Sequence, residues 1–483
     1  MTKRRLFKII VLRPIALILA VLIILHIYFR LGSHDITISK ETTRILGPVN
    51  DDGTVDYIAY MNAEHSKGVT KENNAAIPLL EILGPTYLPT DDGAKMICEI
   101  LGIDVPAEDD KQFTTLGDFR SEESDMYDNL QKAVKDPWAA EQYPAVAQWL
   151  KANQHALDAT VIAVRRTGYY MPAVAPDDAE YPVATMSIPS VQAYVSMSHA
   201  LCARAMLKLN SNQTADAWTD LITARRLARR VSSGYSVVEG LVAMAIEQVA
   251  CQAIEATAGS GKLSEAQAKA FLDDLQRLGP LRDVADMIDE AERFMMLDSL
   301  LKTANKTKLP GWNKVLMNAN AHYDSITAAF RQNTFKARTK AMDDHCRRTE
   351  EFFEKAGTRS FIGSLWRGFS DPAGATGDAL MSVMLPALGR SMVLRDRATA
   401  KGELSVIAMA LAAYRAEKKT YPDKLSELSP GYLKKVPDDL FVDKPFGYKQ
   451  TDKGYLLYSV GENIRLDDRE DDDVKDDIVV RVE

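Results

Sequence analysis

The feature that most constrains this chain is an apolar run close to its N-terminus. From Ile9 to Phe29 the residues are apolar apart from Arg13 and His26. This gives about 21 residues, enough for one helix to cross a hydrocarbon core of roughly 30 Å. The run is preceded by four bases and no acid, which predicts a cytoplasmic N-terminus with the rest of the chain outside the cytoplasm. These bases are Lys3, Arg4, Arg5 and Lys8.

A cleavable signal peptide is the alternative interpretation of the same run. The residues that follow it, Arg30-Leu31-Gly32-Ser33, offer no clean small-x-small cleavage site. A buried helix of a soluble protein would also be apolar, but it would not need the basic flank. We therefore expect residues 1–31 to form a cytoplasmic tail and an uncleaved transmembrane anchor.

Length and composition bound the rest of the chain. The 483 residues predict two or three domains, and 46 % hydrophobic with 26 % charged residues is a globular balance. The net charge of −8 argues against a nucleic-acid binder, which would present a basic face. The cysteines are sparse and show no CxxC pair, so their spacing predicts no zinc site and leaves disulfide pairing open. They are Cys98, Cys202, Cys251 and Cys346.

Turn-forming residues punctuate a first region, residues 42–190, which we predict to be mixed and mostly helical. Within it a helix from Lys71 to Leu83, capped by Thr70, fits between two turns.

Residues 191–380 have the period of long antiparallel helices and predict a bundle. The first two helices, Val191–Leu209 and Thr214–Val231, resemble a tetratricopeptide-type hairpin, although no repeat period is sustained over three units. Two capping boxes predict the starts of the next two helices. They pair Ser236 with Glu239 and Ser264 with Gln267.

The C-terminal part, residues 390–483, predicts a small α+β module. A helix from Met392 to Lys418 carries an apolar stripe that must be buried against another element, and it includes Ile407, Leu411 and Tyr414. Two short strands follow, Tyr455–Val460 and Ile478–Val482. The fold class predicted for the whole chain is thus mainly α, with one N-terminal transmembrane helix.

The order of elements in this module resembles the globular part of type IV pilin-like proteins, and most closely the major pseudopilin of type II secretion. The resemblance implies a small sheet wrapped over one helix face. It is carried by Ala-Leu-Ala-Ala-Tyr414, Tyr421-Pro422, Leu425, Leu428, Tyr432-Leu433, Pro437-Asp438, Pro445-Phe446-Gly447-Tyr448, Tyr455 to Gly461 and Asp476-Asp477-Ile478.

The chain departs from a working pseudopilin before its apolar helix. The segment Arg5-Leu6-Phe7-Lys8 has neither the processing glycine nor the glutamate of pilins, so we interpret the module as a borrowed one. More loosely, the whole chain is similar to a group of single-span bacterial envelope proteins with no established activity. The shared residues are Thr42 to Pro48, Asp56-Tyr57 and Gly68-Val69-Thr70.

An acidic loop near the C-terminus is the strongest candidate site. Between Ile464 and Asp477 it has eight acids and three bases. Calcium takes six to eight oxygen ligands and tolerates loop geometry, and the resembled pseudopilins hold calcium in the corresponding loop. The resemblance implies the side chains of Asp467, Asp468 and Asp477 and the carbonyl of Asn463 as ligands. The alternative is a solvated acidic loop without a metal.

Two other patterns predict no chemistry. The segment Ala258-Gly259-Ser260-Gly261-Lys262 lacks the first glycine and the Ser/Thr of a phosphate-binding loop and follows a helix, so we predict a helix–helix turn. His322 and the run Asp343-Asp344-His345-Cys346 lack metal-ligand spacing.

No catalytic motif is present in the sequence. It therefore predicts a non-enzymatic, membrane-anchored protein that binds partner proteins outside the cytoplasm, near a secretion or pilus-type apparatus. The alternative is an extracytoplasmic hydrolase without a local motif.

Overall fold

The structure is a computed structural model that describes residues 36–89, 91–119, 125–188, 191–307, 311–355, 372–464 and 477–482. The predicted anchor, residues 1–31, lies outside this described part. The described chain is mainly helical and ends in a small antiparallel sheet, which confirms the predicted class at that level.

Among the described residues, six helices precede the bundle, and nine form it and its surroundings. The first six are α1 (Tyr57–His65), α2 (Ala76–Leu83), α3 (Asp91–Leu101), α4 (Met126–Lys135), α5 (Pro144–Ala152) and α6 (Gln154–Ala163). The others are α7 (Val191–Asn210), α8 (Thr214–Val231), α9 (Val237–Gly259), α10 (Glu265–Arg277), α11 (Val284–Met287), α12 (Arg293–Thr307), α13 (Trp312–Phe330), α14 (Phe335–Lys355) and α15 (Pro372–Lys418). A π-helical turn, Ile288–Glu292, joins α11 to α12.

Local capping chemistry fixes the helices at the centre of the bundle. Helix α8 spans the predicted residues Thr214–Val231, and α7 ends one residue beyond the prediction. Both predicted capping boxes are present: Glu239 accepts a hydrogen bond from the backbone N–H of Ser236 at 3.0 Å, and Gln267 accepts one from Ser264 at 3.1 Å. Helices α7, α8 and α9 contact one another.

Helix α9 is the one described helix that is long and apolar enough to span a membrane. Its mean hydropathy reaches 1.5, and 61 % of that stretch is buried within the protein. Its residues pack against α7, α8 and α15. The core helix of a bundle passes the same test of length and composition, so this helix adds nothing to the N-terminal anchor prediction.

Helix α15 is longer than the sequence predicted. It begins at Pro372 instead of Met392. Its second half packs against α9 and α10 as well as against the sheet. Ile407 and Leu411 are fully buried there, as expected, whereas Tyr414 is half-buried.

The predicted start of α2 was wrong. Thr70 and Asn73 close a turn, in which the Thr70 N–H donates to Asn73 Oδ1 at 2.8 Å. The helix begins only at Ala76. Next to this turn the buried Asn74 accepts from the Tyr170 N–H at 2.9 Å and donates to the Tyr170 carbonyl at 2.8 Å. This tertiary pairing keeps Asn74 out of the helix.

The C-terminal sheet has three antiparallel strands in the order β3–β4–β5. They are β3 (Gly447–Gln450), β4 (Tyr455–Ser459) and β5 (Ile478–Val482), and a short pair, β1 (Asp438–Asp439) with β2 (Lys444–Pro445), precedes them. Strand β5 has its predicted bounds and β4 ends one residue early. Alternate residues of β4 and β5 are buried, and the sheet contacts α15.

Candidate anion-binding cleft

The predicted calcium ligands are only partly within the described residues. Asp467 and Asp468 lie outside them. Asn463 follows β4 and Asp477 directly precedes β5, and because Ser459 pairs with Ile478 the two lie at the same end of the hairpin. Within the described ranges no group of three or more His, Cys, Asp or Glu side chains has the arrangement of a metal site. The calcium site therefore stays a prediction.

The cysteines form no disulfide in the structure. Cys98, Cys202 and Cys251 are buried, as expected for small hydrophobic side chains in helices, and Cys346 is exposed. Burial raises the pKa of the Cys251 thiol to about 11, so this thiol is protonated and unreactive at neutral pH.

The glycine-rich segment after α9 is a turn between two helices, as predicted. Lys262 points back toward the C-terminal end of α7, where its Nζ donates to the carbonyls of Leu209 at 3.0 Å and Asn210 at 3.1 Å. A cation at this position satisfies carbonyls that a helix end leaves without a partner. The lysine thus stabilises the helix end.

The two candidate metal-binding histidines do meet. The rings of His322 and His345 lie 5.2 Å apart, edge to face, and burial lowers the pKa of His345 to about 4, with a smaller contribution from His322. Two ring nitrogens alone do not complete a structural metal site, which normally has four ligands.

A large cavity lies elsewhere, in a cleft that the sequence did not predict. Its volume is about 1280 Å³. Five segments form it: residues 44–45, α1, the residues after α6, the C-terminal end of α8 with the serines that follow it, and the stretch from the end of α10 through the π-helical turn to the start of α12. Its charged lining is Arg44, Glu64, His65, Arg165, Arg226, Arg229, Arg230, Arg277, Arg282, Asp286, Asp289 and Glu290.

The lining is basic although the chain as a whole is acidic. It contains seven arginines and four carboxylates. Each carboxylate already has a cationic partner: Glu64 pairs with Lys67, Asp286 with Arg331, Asp289 with Arg44 and Arg293, and Glu290 with Arg282. The acids of the cleft therefore do not neutralise the remaining arginines.

Four of the arginines have carboxylate partners. Arg44 lies 3.3 Å from Asp289, Arg277 lies 3.2 Å from Asp274, and Arg282 lies 2.6 Å from Glu290. Arg229 donates to Glu247 Oε1 at 3.0 Å and from its Nε to the Gly279 carbonyl at 3.0 Å. These side chains hold the walls of the cleft together.

The other three, Arg165, Arg226 and Arg230, have no carboxylate partner among the described residues. Arg230 donates only to carbonyl oxygens, that of Thr167 at 2.8 Å and that of Val164 at 3.4 Å. Burial lowers the pKa of Arg230, and the positive charge of Arg226 lowers it further. We call Arg165, Arg226 and Arg230 the arginine triad; its uncompensated positive charge is suited to bind an anion.

A charged network crosses the cleft beside the triad. His65 Nε2 lies 2.8 Å from Glu290 Oε1, and Arg282 donates to Glu290 Oε2 at 2.6 Å and to the Gly234 carbonyl at 2.6 Å. Neither of the cleft serines, Ser232 and Ser233, is hydrogen-bonded to His65; both hydroxyls donate to the Arg229 carbonyl at 3.0 Å. His65 thus has a carboxylate partner in the part of the chain that the structure describes.

The sequence contained one local signal of this cleft. Arg226, Arg229 and Arg230 stand three and four residues apart, which places them on one face of α8. Arg165 comes from a different segment, and nothing in the sequence indicates that it lies near α8.

Comparisons with known proteins add no assignment. No family model matches the chain, and neither a curated protein nor a solved structure matches it.

Proposed function

We propose that this protein is a membrane-anchored, non-enzymatic binding protein that holds an anionic ligand in the arginine cleft, outside the cytoplasm. The apolar run Ile9–Phe29 with its basic flank supports the anchor and the topology. The pseudopilin-like order of elements in residues 390–483 supports a place in the envelope, near a secretion or pilus-type apparatus.

The observation that carries the proposal is the arginine triad. In a protein with a net charge of −8, Arg165, Arg226 and Arg230 all line this cavity, and none of them has a carboxylate partner among the described residues. Like charges that crowd one site destabilise the fold. Their retention is explained if an anion binds there, because charge-assisted and bidentate hydrogen bonds to guanidinium groups are among the strong ones.

Thermal denaturation of the full chain in detergent tests the proposal. Citrate, pyrophosphate and a hexaglutamate peptide are each added at constant ionic strength, without divalent cations. A ligand that binds only the folded state raises the melting temperature. We expect at least one of the three anions to do so for the wild type and to have little effect on an R165Q/R226Q variant.

The matched control is R481Q combined with K449Q, which removes the same charge from the distant sheet. This control variant should respond to the anions like the wild type. The proposal is wrong if no anion raises the melting temperature, or if the control loses the response as fully as R165Q/R226Q.

Topology is tested separately by fusing a reporter after Glu483 that is active only outside the cytoplasm. Activity of a cytoplasmic reporter at the same position would contradict the membrane part of the proposal without touching the anion site.

A further inference from the structure

We infer that the anion is a phosphate group, or a diphosphate, of a small organic molecule whose apolar part lies against Tyr60. This inference rests on the proposed function and names the ligand class of the same site. It comes from three features of the cleft: the lack of a described carboxylate partner for the triad, the use of arginine and not lysine in the described lining, and two aromatic side chains in the same lining.

The charge of the triad favours a multiply charged group. A single carboxylate has one negative charge and two acceptor oxygens. A phosphate monoester has a charge of about −1.5 to −2 and three strong acceptor oxygens. One phosphate therefore offers the arginines of the triad more negative charge and one more acceptor oxygen than one carboxylate does.

The use of arginine instead of lysine also supports a phosphate ligand. The cleft lining formed by the described residues has seven arginines and no lysine. A guanidinium presents its N–H donors in a rigid planar fork, while an ammonium acts as a point charge. A site that required only a positive electrostatic potential would be served by lysine as well as by arginine. Arginine is over-represented where planar, bidentate recognition of phosphate or carboxylate matters.

The cleft has room for more than a phosphate ion. Its volume of about 1280 Å³ exceeds the roughly 300–1,000 Å³ of ordinary small-molecule sites. Tyr60 and Phe294 also line it, with ring centroids 5.7 Å apart in an edge-to-face arrangement. Tyr60 is half-buried, so part of its ring faces the cavity. We call these two side chains the aromatic wall. Phe294 is only 3 % exposed, so the ring of Tyr60 provides the surface for the organic part of a phosphate ester.

The stabilising network around the cleft leaves the triad available. Glu290, the carboxylate bound by Arg282, also pairs with His65, and Asp289 is bound by Arg44 and by the fully buried Arg293. None of these acids needs to move for an anion to enter. The ligand therefore adds its charge to the triad without breaking an existing ion pair.

Isothermal titration calorimetry of the full chain at pH 8 tests the phosphate class. Pyrophosphate and citrate, which have a similar charge, are compared at one ionic strength. We expect pyrophosphate to bind at least tenfold more tightly than citrate. An R226K variant keeps the charge but loses the fork, and it should lose a large part of the pyrophosphate affinity while its citrate affinity changes little.

The apolar part is tested with phenyl phosphate against inorganic phosphate. Phenyl phosphate should bind several-fold more tightly to the wild type, and Y60S should remove that gain while leaving inorganic phosphate binding unchanged. If Y60S does not fold, Y60L with a smaller expected loss replaces it.

The outcomes separate the two proposals. Citrate or hexaglutamate that binds as tightly as pyrophosphate would overturn the phosphate inference and leave the anion-binding function in place. Absence of binding by every anion would overturn both. Equal binding of phenyl phosphate and inorganic phosphate would overturn the assignment of the aromatic wall.

Discussion

His65 and Glu290 join two distant parts of the chain across the arginine cleft. Their side chains lie 2.8 Å apart, and both are largely buried. His65 ends α1, and Glu290 belongs to the π-helical turn between α11 and α12. Single π-helical turns are rare and are frequent at functional sites. This contact therefore fixes the position of the irregular turn that supplies two carboxylates to the cleft.

The pair gives a first prediction for stability. Burial opposes ionisation of Glu290, but the hydrogen bonds and charges of His65 and Arg282 outweigh it and lower its pKa. Because its pKa is lower in the folded state, the Glu290 carboxylate stabilises the fold at pH values above its ordinary pKa of 4.5. This stabilisation is lost as the pH falls through the folded-state pKa. E290Q should reduce the free energy of unfolding by about 3 kcal/mol at neutral pH, because it leaves Arg282 without its partner.

Urea unfolding of the wild type and E290Q between pH 7 and 3 checks this sign. The difference between the two proteins should shrink toward low pH. A difference that stays constant over the whole range would mean that packing, and not the charge of Glu290, accounts for the effect.

A second prediction has the opposite sign. Asp298 is 3 % exposed, and burial raises its pKa to about 6 although the Val183 N–H donates to it at 3.2 Å. The folded state then binds the proton more tightly than the unfolded chain, in which the pKa is near 3.8. The free energy of unfolding therefore decreases by on the order of 3 kcal/mol as the pH rises from about 4 to 6.

D298N should remove this dependence. Asparagine keeps an oxygen that can accept from Val183 but does not titrate. Unfolding measured at pH 4, 5, 6 and 8 should show a smaller slope for D298N than for the wild type and a gain in stability at pH 8. An unchanged slope would contradict the assignment of this titration to Asp298.

A third prediction concerns the long helix α15, Pro372–Lys418. Leu411 is fully buried, while Leu394 on the same helix is 47 % exposed. Removing a buried leucine costs about 2–5 kcal/mol through lost transfer free energy and a residual cavity. L411A should lower the melting temperature of the full chain by several degrees, and L394A should change it little. Equal effects of the two variants would mean that the packing of this helix is not as described.

The elements predicted well are those that local chemistry determines. Ser236 and Glu239 form a capping box that fixes the start of α9 whatever surrounds it, and α8 has a complete apolar face. The first half of α15 was missed because Pro386 and Gly389 are typical helix breakers, yet the helix continues through both. The wrong start of α2 has a tertiary cause, the pairing of Asn74 with Tyr170.

The cleft could be predicted from the sequence only in fragments. The arginine stripe of α8 is local, but Arg165 and Arg282 join it through the packing of segments far apart in the chain. The sequence directed attention to the acidic loop instead, because many carboxylates stand together there. Density of charge along the chain is visible in the sequence, whereas a charge without a partner in the folded protein can be recognised only from the structure.

The last prediction concerns that loop. The resemblance to pseudopilins and the carboxylates between Ile464 and Asp477 predict a calcium ion held by Asn463, Asp467, Asp468 and Asp477. A site present only in the folded state stabilises it by RT ln(1 + [L]/Kd), which is about 2.7 kcal/mol at a hundred times Kd. Millimolar calcium should raise the melting temperature of the full chain. Magnesium should raise it less, because it demands near-ideal octahedral geometry.

A D467N/D468N variant separates a specific site from general screening. It should lose the calcium response completely if the ion is bound by these side chains. Screening by a divalent cation would instead act alike for calcium and magnesium, fade in added sodium chloride, and persist in part in the variant. If calorimetry of the wild type gives no heat with millimolar calcium, the loop is a solvated acidic turn. The arginine cleft is then left as the stronger of the two candidate sites.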